Sequence, residues 1–439
     1  MMGAVMNATT GPAGAPAAPA STAAAPASIN GTRLCERLMA LAQIGATPAG
    51  GVNRQALSPG EIAAWRLVIG WARGAGLEAA TDAAGNLFLI LRGSDSALPP
   101  LLSGSHLDTQ PTGGRFDGAY GVMAALEAAT ALAEAGLRPP RDVIVVAWMN
   151  EEGSRFAPGM MGSEAFAGVR ALDEIRAAQD ADGISVASAL DALHGAFPEL
   201  QRLPLGFKPA AYVEAHIEQG PVLEARERVI GVVTAIQGKK TCEVTVSGDK
   251  GHAGTLAMAD RRDALATFAR IAAALHAEIG SHDAIVKFTI GRLRIEPNAP
   301  SVVPERAVFS IDLRHPDNAV LDVLGERIAA ICAREAGPCA VGIKPLVNAP
   351  SNDFDPALQD MIEAAARRHG HPGMRLLSAA GHDARHLAQL CPSAMIFIPC
   401  RGGVSHAEHE WAEPAHVIAG AQVLLSTLLE LATAPGEVR

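Results

Sequence analysis

The run Val143-Ile144-Val145-Val146-Ala147-Trp148 contains no polar residue, so a strand built from it must be covered on both faces. Such strands sit inside parallel sheets flanked by helices, which places the chain among α/β folds. The segments before it agree. Pro99 to Ser105 is a short apolar run of strand length that ends at His106. Gly118 to Gly136 then carries Val122, Leu126, Ala129 and Leu132 at helical spacing and closes on a glycine, a natural helix stop. Strand, helix, strand in this order predicts a mostly parallel central sheet.

A second pattern occupies 238–349. It reads strand (Thr241 to Ser247), helix (Arg261 to Ile279), strand (Ala284 to Leu293), strand (Ala307 to Arg314), helix (Val320 to Ala336) and strand (Cys339 to Leu346). This βαββαβ order describes a two-layer unit inserted into the first domain, which would comprise 30–237 and 350–435. Two domains suit 439 residues, since a single core stops growing well below that length. The first 29 residues are almost entirely Ala, Pro, Gly, Ser, Thr and Met. They are expected to form a disordered tail, and they lack the basic start and aliphatic stretch of a secretory signal. No later stretch approaches the ~20 continuous apolar residues that a membrane helix requires.

A net charge of −10 without any Lys/Arg-rich run argues against nucleic acid or an anionic membrane as partner. A small anionic ligand stays possible, because local arginines can override the global sign. The six cysteines are scattered with no C-x-x-C pair, unlike a disulfide framework or a thiolate zinc site. They read as buried thiols in a reducing compartment, so a cytoplasmic location is expected.

Open α/β sheets place ligands beyond the carboxyl ends of their strands. There the chain carries metal-ligating residue types. His106 and Asp108 lie two apart on an extended segment and share a side, so one can bind an ion while the other orients it. Asp117 sits between glycines in Gly113-Gly114-Arg115-Phe116-Asp117-Gly118. Glu151 and Glu152 follow the hidden strand, and adjacent carboxylates at a strand end repel unless a cation or proton relieves them. His216 follows another apolar run, and His406 sits in a glycine-rich turn. Taken singly, each has a plainer reading: a structural histidine, a solvated acidic pair, or Asp117 as a helix cap. Together, three imidazoles and two carboxylates at loops after strand-like or glycine-rich signals match zinc or its neighbours.

With these blocks in order, the sequence resembles the metal-dependent amidases that include N-carbamoyl-L-amino-acid hydrolases, β-ureidopropionases and allantoate amidohydrolases. The resemblance runs from about residue 30 to 430. It rests on Ser103 to Thr109, Gly113 to Val122, Asn150 to Phe156, Glu214 to Glu224, Gly251 to Thr255, Pro304 to Asp317, Gly381 to Ala384 and Gly403 to Trp411. It implies a zinc-peptidase-like catalytic domain with the inserted unit as a lid and dimerisation domain. His106 and His216 would hold one divalent ion, Glu152 and His406 a second, and Asp117 would bridge them. Zinc is the first choice for both, with manganese, cobalt or nickel as alternatives. Glu151 would be the general base, and Asp108 would support the ligands from behind. The resemblance assigns His252, on the lid, to the carbonyl oxygen, reaching across a homodimer. It assigns Arg314 to a substrate carboxylate and Gln219 to substrate orientation.

The chain departs from the family pattern at Ser301-Val302-Val303-Pro304, where Asn-Val-Ile-Pro is usual, so Ser301 would replace a substrate-binding amide. Gly254-Thr255-Leu256-Ala257-Met258 and Ser378-Ala379-Ala380-Gly381 also differ. Such changes reshape specificity more readily than they abolish catalysis. Hydrolysis of an N-carbamoyl or related amide of a carboxylate-bearing small molecule is therefore expected. An N-acyl-amino-acid deacylase or dipeptidase is the alternative on the same scaffold, and a catalytically silent metal-binding protein is the reading from another class.

Overall fold

In a computed structural model, which describes Met1 and residues 27–433, the run Val143–Trp148 is a strand buried at every position. It pairs in parallel with Leu101–His106 on one side and antiparallel with Leu87–Leu91 on the other. The sheet has ten strands. Its spatial order is Asn352–Asp353, Gly231–Ile236, Ser393–Ile398, Ala211–Ile217, Leu101–His106, Val143–Trp148, Leu87–Leu91, Glu78–Thr81 and Gln201–Arg202, with Met374–Ser378 branching off Gly231–Ile236. The four central strands, from Ser393–Ile398 to Val143–Trp148, run parallel. Their carboxyl ends therefore deliver His216, His106 and the Asn150-Glu151-Glu152 turn to one rim.

Helix Ala119–Glu134 is buried on almost every side. Its alanines let it lie between the sheet and two other helices, Gly31–Leu41 and Pro414–Thr433. The last of these is long and apolar enough, by length and mean composition, to cross a membrane, although His416, Gln422 and Glu430 interrupt its apolar run. An 18-residue stretch within it reaches a mean hydropathy of 1.5, and 61% of that stretch is buried. Here the apolar character is used for packing, with Val417, Leu424, Leu428 and Leu431 in the main core.

Residues 238–349 build a separate four-stranded antiparallel sheet in the order Lys287–Glu296, Arg306–His315, Gly238–Ser247, Ala340–Ala349. Helices Ala264–Glu278 and Asn318–Glu335 cover one face, over Val244, Val246, Phe309, Ile311 and Leu313. Two boundaries move from the sequence expectation for capping reasons. Asp263 accepts hydrogen bonds from Leu265 and Ala266 N–H, so the first helix starts at Ala264 rather than Arg261. The carboxylate of Asp283 takes the N–H groups of Ile285 and Val286, which delays the following strand to Lys287. The structure adds a small ribbon, Gly251–His252 paired with Val302–Val303.

Residues 2–26 of the expected tail lie outside the described residues, as do residues 434 and 435. The tail's expected limit at residue 29 is too late, because Ala27 and Ile29 pack on the main core. The Asn30 N–H also bonds Glu127 Oε1 at 2.9 Å.

Leu126 is fully buried in the central helix. Truncation leaves a cavity that neighbours on the sheet and helices cannot fill. Leu126→Ala is expected to destabilise the protein by about 2–5 kcal/mol, read as a lowered urea midpoint. An unchanged midpoint would contradict the packing of this helix.

Candidate metal centre and active site

The main-domain rim and the lid face one another across a cleft of about 260 Å³. Its lining includes eight residues singled out from sequence: His106, Asp117, Glu151, Glu152, His216, Gln219, Arg314 and His406. Asp117 is at the centre. Its Oδ1 lies 3.2 Å from His216 Nε2 and 3.9 Å from His106 Nε2. On the other side, Oδ2 lies 3.2 Å from His406 Nε2, which is itself 3.4 Å from Glu152 Oε2. Two triads able to hold an ion thus share one carboxylate: His106, Asp117 and His216, and Asp117, Glu152 and His406.

Local structure explains the placement. Gly118 follows Asp117 at φ +62° and a Cβ there would strike the His106 ring, so glycine both permits the turn and admits the imidazole. Similarly, a Cβ on Gly114 would meet the Glu410 carboxylate. Glu410 Oε1 accepts the N–H groups of Phe116 and Asp117 at 2.9 and 3.1 Å, and its Oε2 accepts from Ser405 Oγ at 3.0 Å. Asp108 accepts the N–H groups of Glu151 and Glu152 at 3.2 Å each, while its Oδ1 lies 3.5 Å from His106 Nδ1. It thus positions the strand-end turn and the imidazole together. Asn150, Met160, Gln219 and His406 all adopt positive φ, an uncommon state for side chains of these types that tends to gather at functional sites.

The electrostatics fit cations. Glu151 is pushed well above the usual carboxylate range by burial and by Asp383, Glu152 and Asp108. Burial, with the Asp117 charge adding to it, lifts both Glu152 and Glu410 to about 7. Asp117 goes the other way: burial opposes its charge, but hydrogen bonds with His216 and His406 hold it well below its ordinary value. The hydrogen bond to Asp117 lifts His406 to about 9. His106 is raised too, because Glu151 and Asp108 outweigh the burial penalty. Imidazoles that cling to protons among crowded buried carboxylates mark a place where divalent cations can take over the neutralising role. The ligand set of nitrogen and oxygen donors without thiolate suits zinc, manganese, cobalt or nickel.

Arg314 lines the cleft but pairs with Asp312 through Nε and Nη2 at 2.8 and 3.2 Å, and gives Nη1 to the Ala379 carbonyl at 2.9 Å. Three of its five N–H donors are used, and two remain for an anion. Gln219 turns its amide nitrogen to Asp117 Oδ2 and Ser405 Oγ at 3.0 and 3.1 Å. Its contacts are thus with the ligand shell. His252 and Ser301 are not brought to this cleft. Both are exposed on the lid ribbon, where Ala253 N–H bonds the Ser301 carbonyl.

Sequence reasoning passed over several residues. Gln110 Nε2 donates to Glu152 Oε2 at 2.7 Å. His382, fully enclosed, stacks edge-on to His216 with ring centroids 4.5 Å apart, and burial beside His216 keeps it well below its ordinary value, hence neutral. Lys239 reaches the cleft from the first lid strand. His382 lies in the glycine-preceded Gly381-His382-Asp383 segment, a signal that could have found it. Glu410 had none, because the Phe116 and Asp117 N–H groups it holds are nearly 300 positions away in sequence.

Comparison with known proteins shows what the chain is similar to. The profile of peptidase family M20/M25/M40 matches residues 102–430. An N-carbamoyl-L-amino-acid amidohydrolase of Rhizobium meliloti is 39% identical over 92% of this chain and 97% of that protein. An allantoate amidohydrolase of Bacillus subtilis is 34% identical over 89% of this chain and 95% of its own length. Among solved structures, an amidase of the hydantoinase/carbamoylase family from Burkholderia multivorans superposes with a TM-score of 0.86 at 40% identity, covering 93% of this chain and 100% of that one.

Because both triads draw on Asp117, Asp117→Ala is expected to strip the zinc-reconstituted protein of about two ions per chain, measured by mass spectrometry of bound metal. Loss of a single ion would show that the triads are independent.

Proposed function

The chain belongs to peptidase family M20/M25/M40, a metal-dependent family, and we propose that it hydrolyses the C–N bond of an N-carbamoyl (ureido) amino acid or a closely related carboxylate-bearing amide. The observation that carries this reading is the pair of triads sharing Asp117 with Glu151 beside them. The names of its relatives point to ureido substrates, and Arg314 supplies a cation for the carboxylate.

In this reading His106, Asp117 and His216 hold one divalent ion and Asp117, Glu152 and His406 the other. When bound, the ions lower the pKa of a water and polarise the scissile carbonyl. Glu151 is the group with a free acid–base role. Its Oε2 lies 3.6 Å from His106 Nε2, close to the metal ligands without belonging to either triad. It receives the proton of the attacking water and returns it to the departing nitrogen. Asp108 acts as a positioning residue, since it fixes the Glu151 and Glu152 backbone and approaches His106. Arg314 binds the substrate carboxylate with its two remaining donors. For a carbamoyl substrate the products are the amino acid, ammonia and carbon dioxide.

The transition state also needs a donor toward the carbonyl oxygen. We assign this to His252 of a second copy in a homodimer formed through the lid. What supports it is that His252 is exposed on the lid ribbon and absent from the cleft lining of its own chain.

Ammonia release by the metal-reconstituted protein is expected from at least one of carbamoyl amino acids, β-ureidopropionate and allantoate, and loss on chelation. Release of free amine from acetyl or formyl amino acids alone would transfer the protein to the deacylase reading. Glu151→Gln is expected to lower kcat by about 10²- to 10⁴-fold with metal content kept; unchanged turnover would sink the base assignment. In a mixture of His252→Ala and Glu151→Gln chains, hybrid dimers should regain one working site; no recovery despite subunit exchange would refute the cross-subunit role.

A further inference from the structure

A second cavity, of about 420 Å³, opens beside the metal cleft. Met160, Lys239, Arg314 and Gly381 line both, so a molecule held at Arg314 can extend from one into the other. The walls of the second cavity add Glu164, Arg385 and His386. Arg385 is 9% exposed and His386 7% exposed, yet Arg385 Nε and His386 Nδ1 are buried atoms without a hydrogen-bond partner. Leaving such groups unpaired is costly, and a ligand is one way to satisfy them.

The charge balance points to the kind of ligand. Asp312 serves both Arg314 and Lys239. Glu164 is bound to Arg170 and stands 3.9 Å from His386 Nε2, too far for a hydrogen bond. Arg385 gives Nη1 to the Pro350 carbonyl and Nη2 to the Gln237 carbonyl, at 3.0 and 2.8 Å, and pairs with no carboxylate among the described residues. Burial and the nearby Arg314 push its guanidinium down to about 10, as expected for a cation withdrawn from water without a counter-ion. A monocarboxylate at Arg314 leaves this charge unmatched.

Resting on the amidohydrolase reading above, we infer that the second cavity receives a distal carboxylate, so that the preferred substrates are ureido derivatives of acidic amino acids. Arg385 and His386, which line that cavity, hold the distal carboxylate, while Arg314 holds the proximal one. Arg385 and His386 are thereby specificity determinants rather than participants in bond cleavage.

The test compares kcat/KM of the zinc-reconstituted protein for carbamoyl-L-aspartate and carbamoyl-L-glutamate with the nearly isosteric carbamoyl-L-asparagine and carbamoyl-L-glutamine. The acidic members should be favoured by about 10- to 100-fold. In Arg385→Gln the acidic-to-neutral ratio should fall to near one, with Arg385→Lys keeping part of it. Equal or better turnover of the neutral members, or a ratio unchanged in a folded Arg385→Gln, overturns the inference; if that variant does not fold, the wild-type ratio decides. Should no ureido compound be turned over, the amidohydrolase reading fails and calorimetry decides the cavity separately. Tighter binding of glutarate than of its half-amide by the zinc-loaded protein would keep the dicarboxylate site, and equal binding would remove it.

Discussion

Asp117 is 4% exposed, and its two oxygens face different partners, His216 and His106 on one side and His406 on the other. A carboxylate so deeply buried keeps its charge only because hydrogen bonds compensate the lost water. Several neighbours serve that condition. Gly118 makes room for His106, Glu410 holds the backbone before the side chain, Gln219 donates to Oδ2, and Ser405 Oγ stands 3.1 Å from the same oxygen. The surplus of buried carboxylates around it is tolerable for a centre that receives cations.

The parallel sheet turns this local arrangement into a site. Neighbouring parallel strands end at the same rim, so His106 and His216, more than a hundred positions apart, lie with ring centroids 6.0 Å from each other. Chain reversals at the rim require backbone states that few side chains adopt, and Asn150, Gln219 and His406 adopt them. Across the cleft, the lid offers cations, Arg314 and Lys239, held in place by Asp312. One wall therefore gathers side chains able to hold metal ions while the other presents cations to the cleft.

Much of the fold was legible because it depends on local periodicity. The hidden strand, the alanine-rich helix and the βαββαβ insertion each follow from patterns within a dozen or so residues. Boundaries shifted where one side chain captured backbone donors, as Asp263 and Asp283 do. Helix Pro414–Thr433 was underestimated because scattered polar positions such as His416 and Gln422 interrupt its apolar run, although the helix is largely buried in three dimensions. Of the site, residues with ligand chemistry next to strand ends could be singled out. Gln110, Glu410 and Arg385 could not be, because their significance comes from distant partners or from the lack of any.

By itself the sequence determined the α/β class, the inserted lid and the identities of the side chains able to bind metal, since these depend on spacing along the chain and on residue type. Only the tertiary structure decided that Asp117 stands between His106 and His216 on one side and Glu152 and His406 on the other, that Arg314 is already braced by Asp312, that His252 stays outside the cleft of its own chain and that Arg385 lies buried without a counter-charge. Those facts rest on distances between segments far apart in sequence and on exclusion from water, and neither exists until the chain has packed.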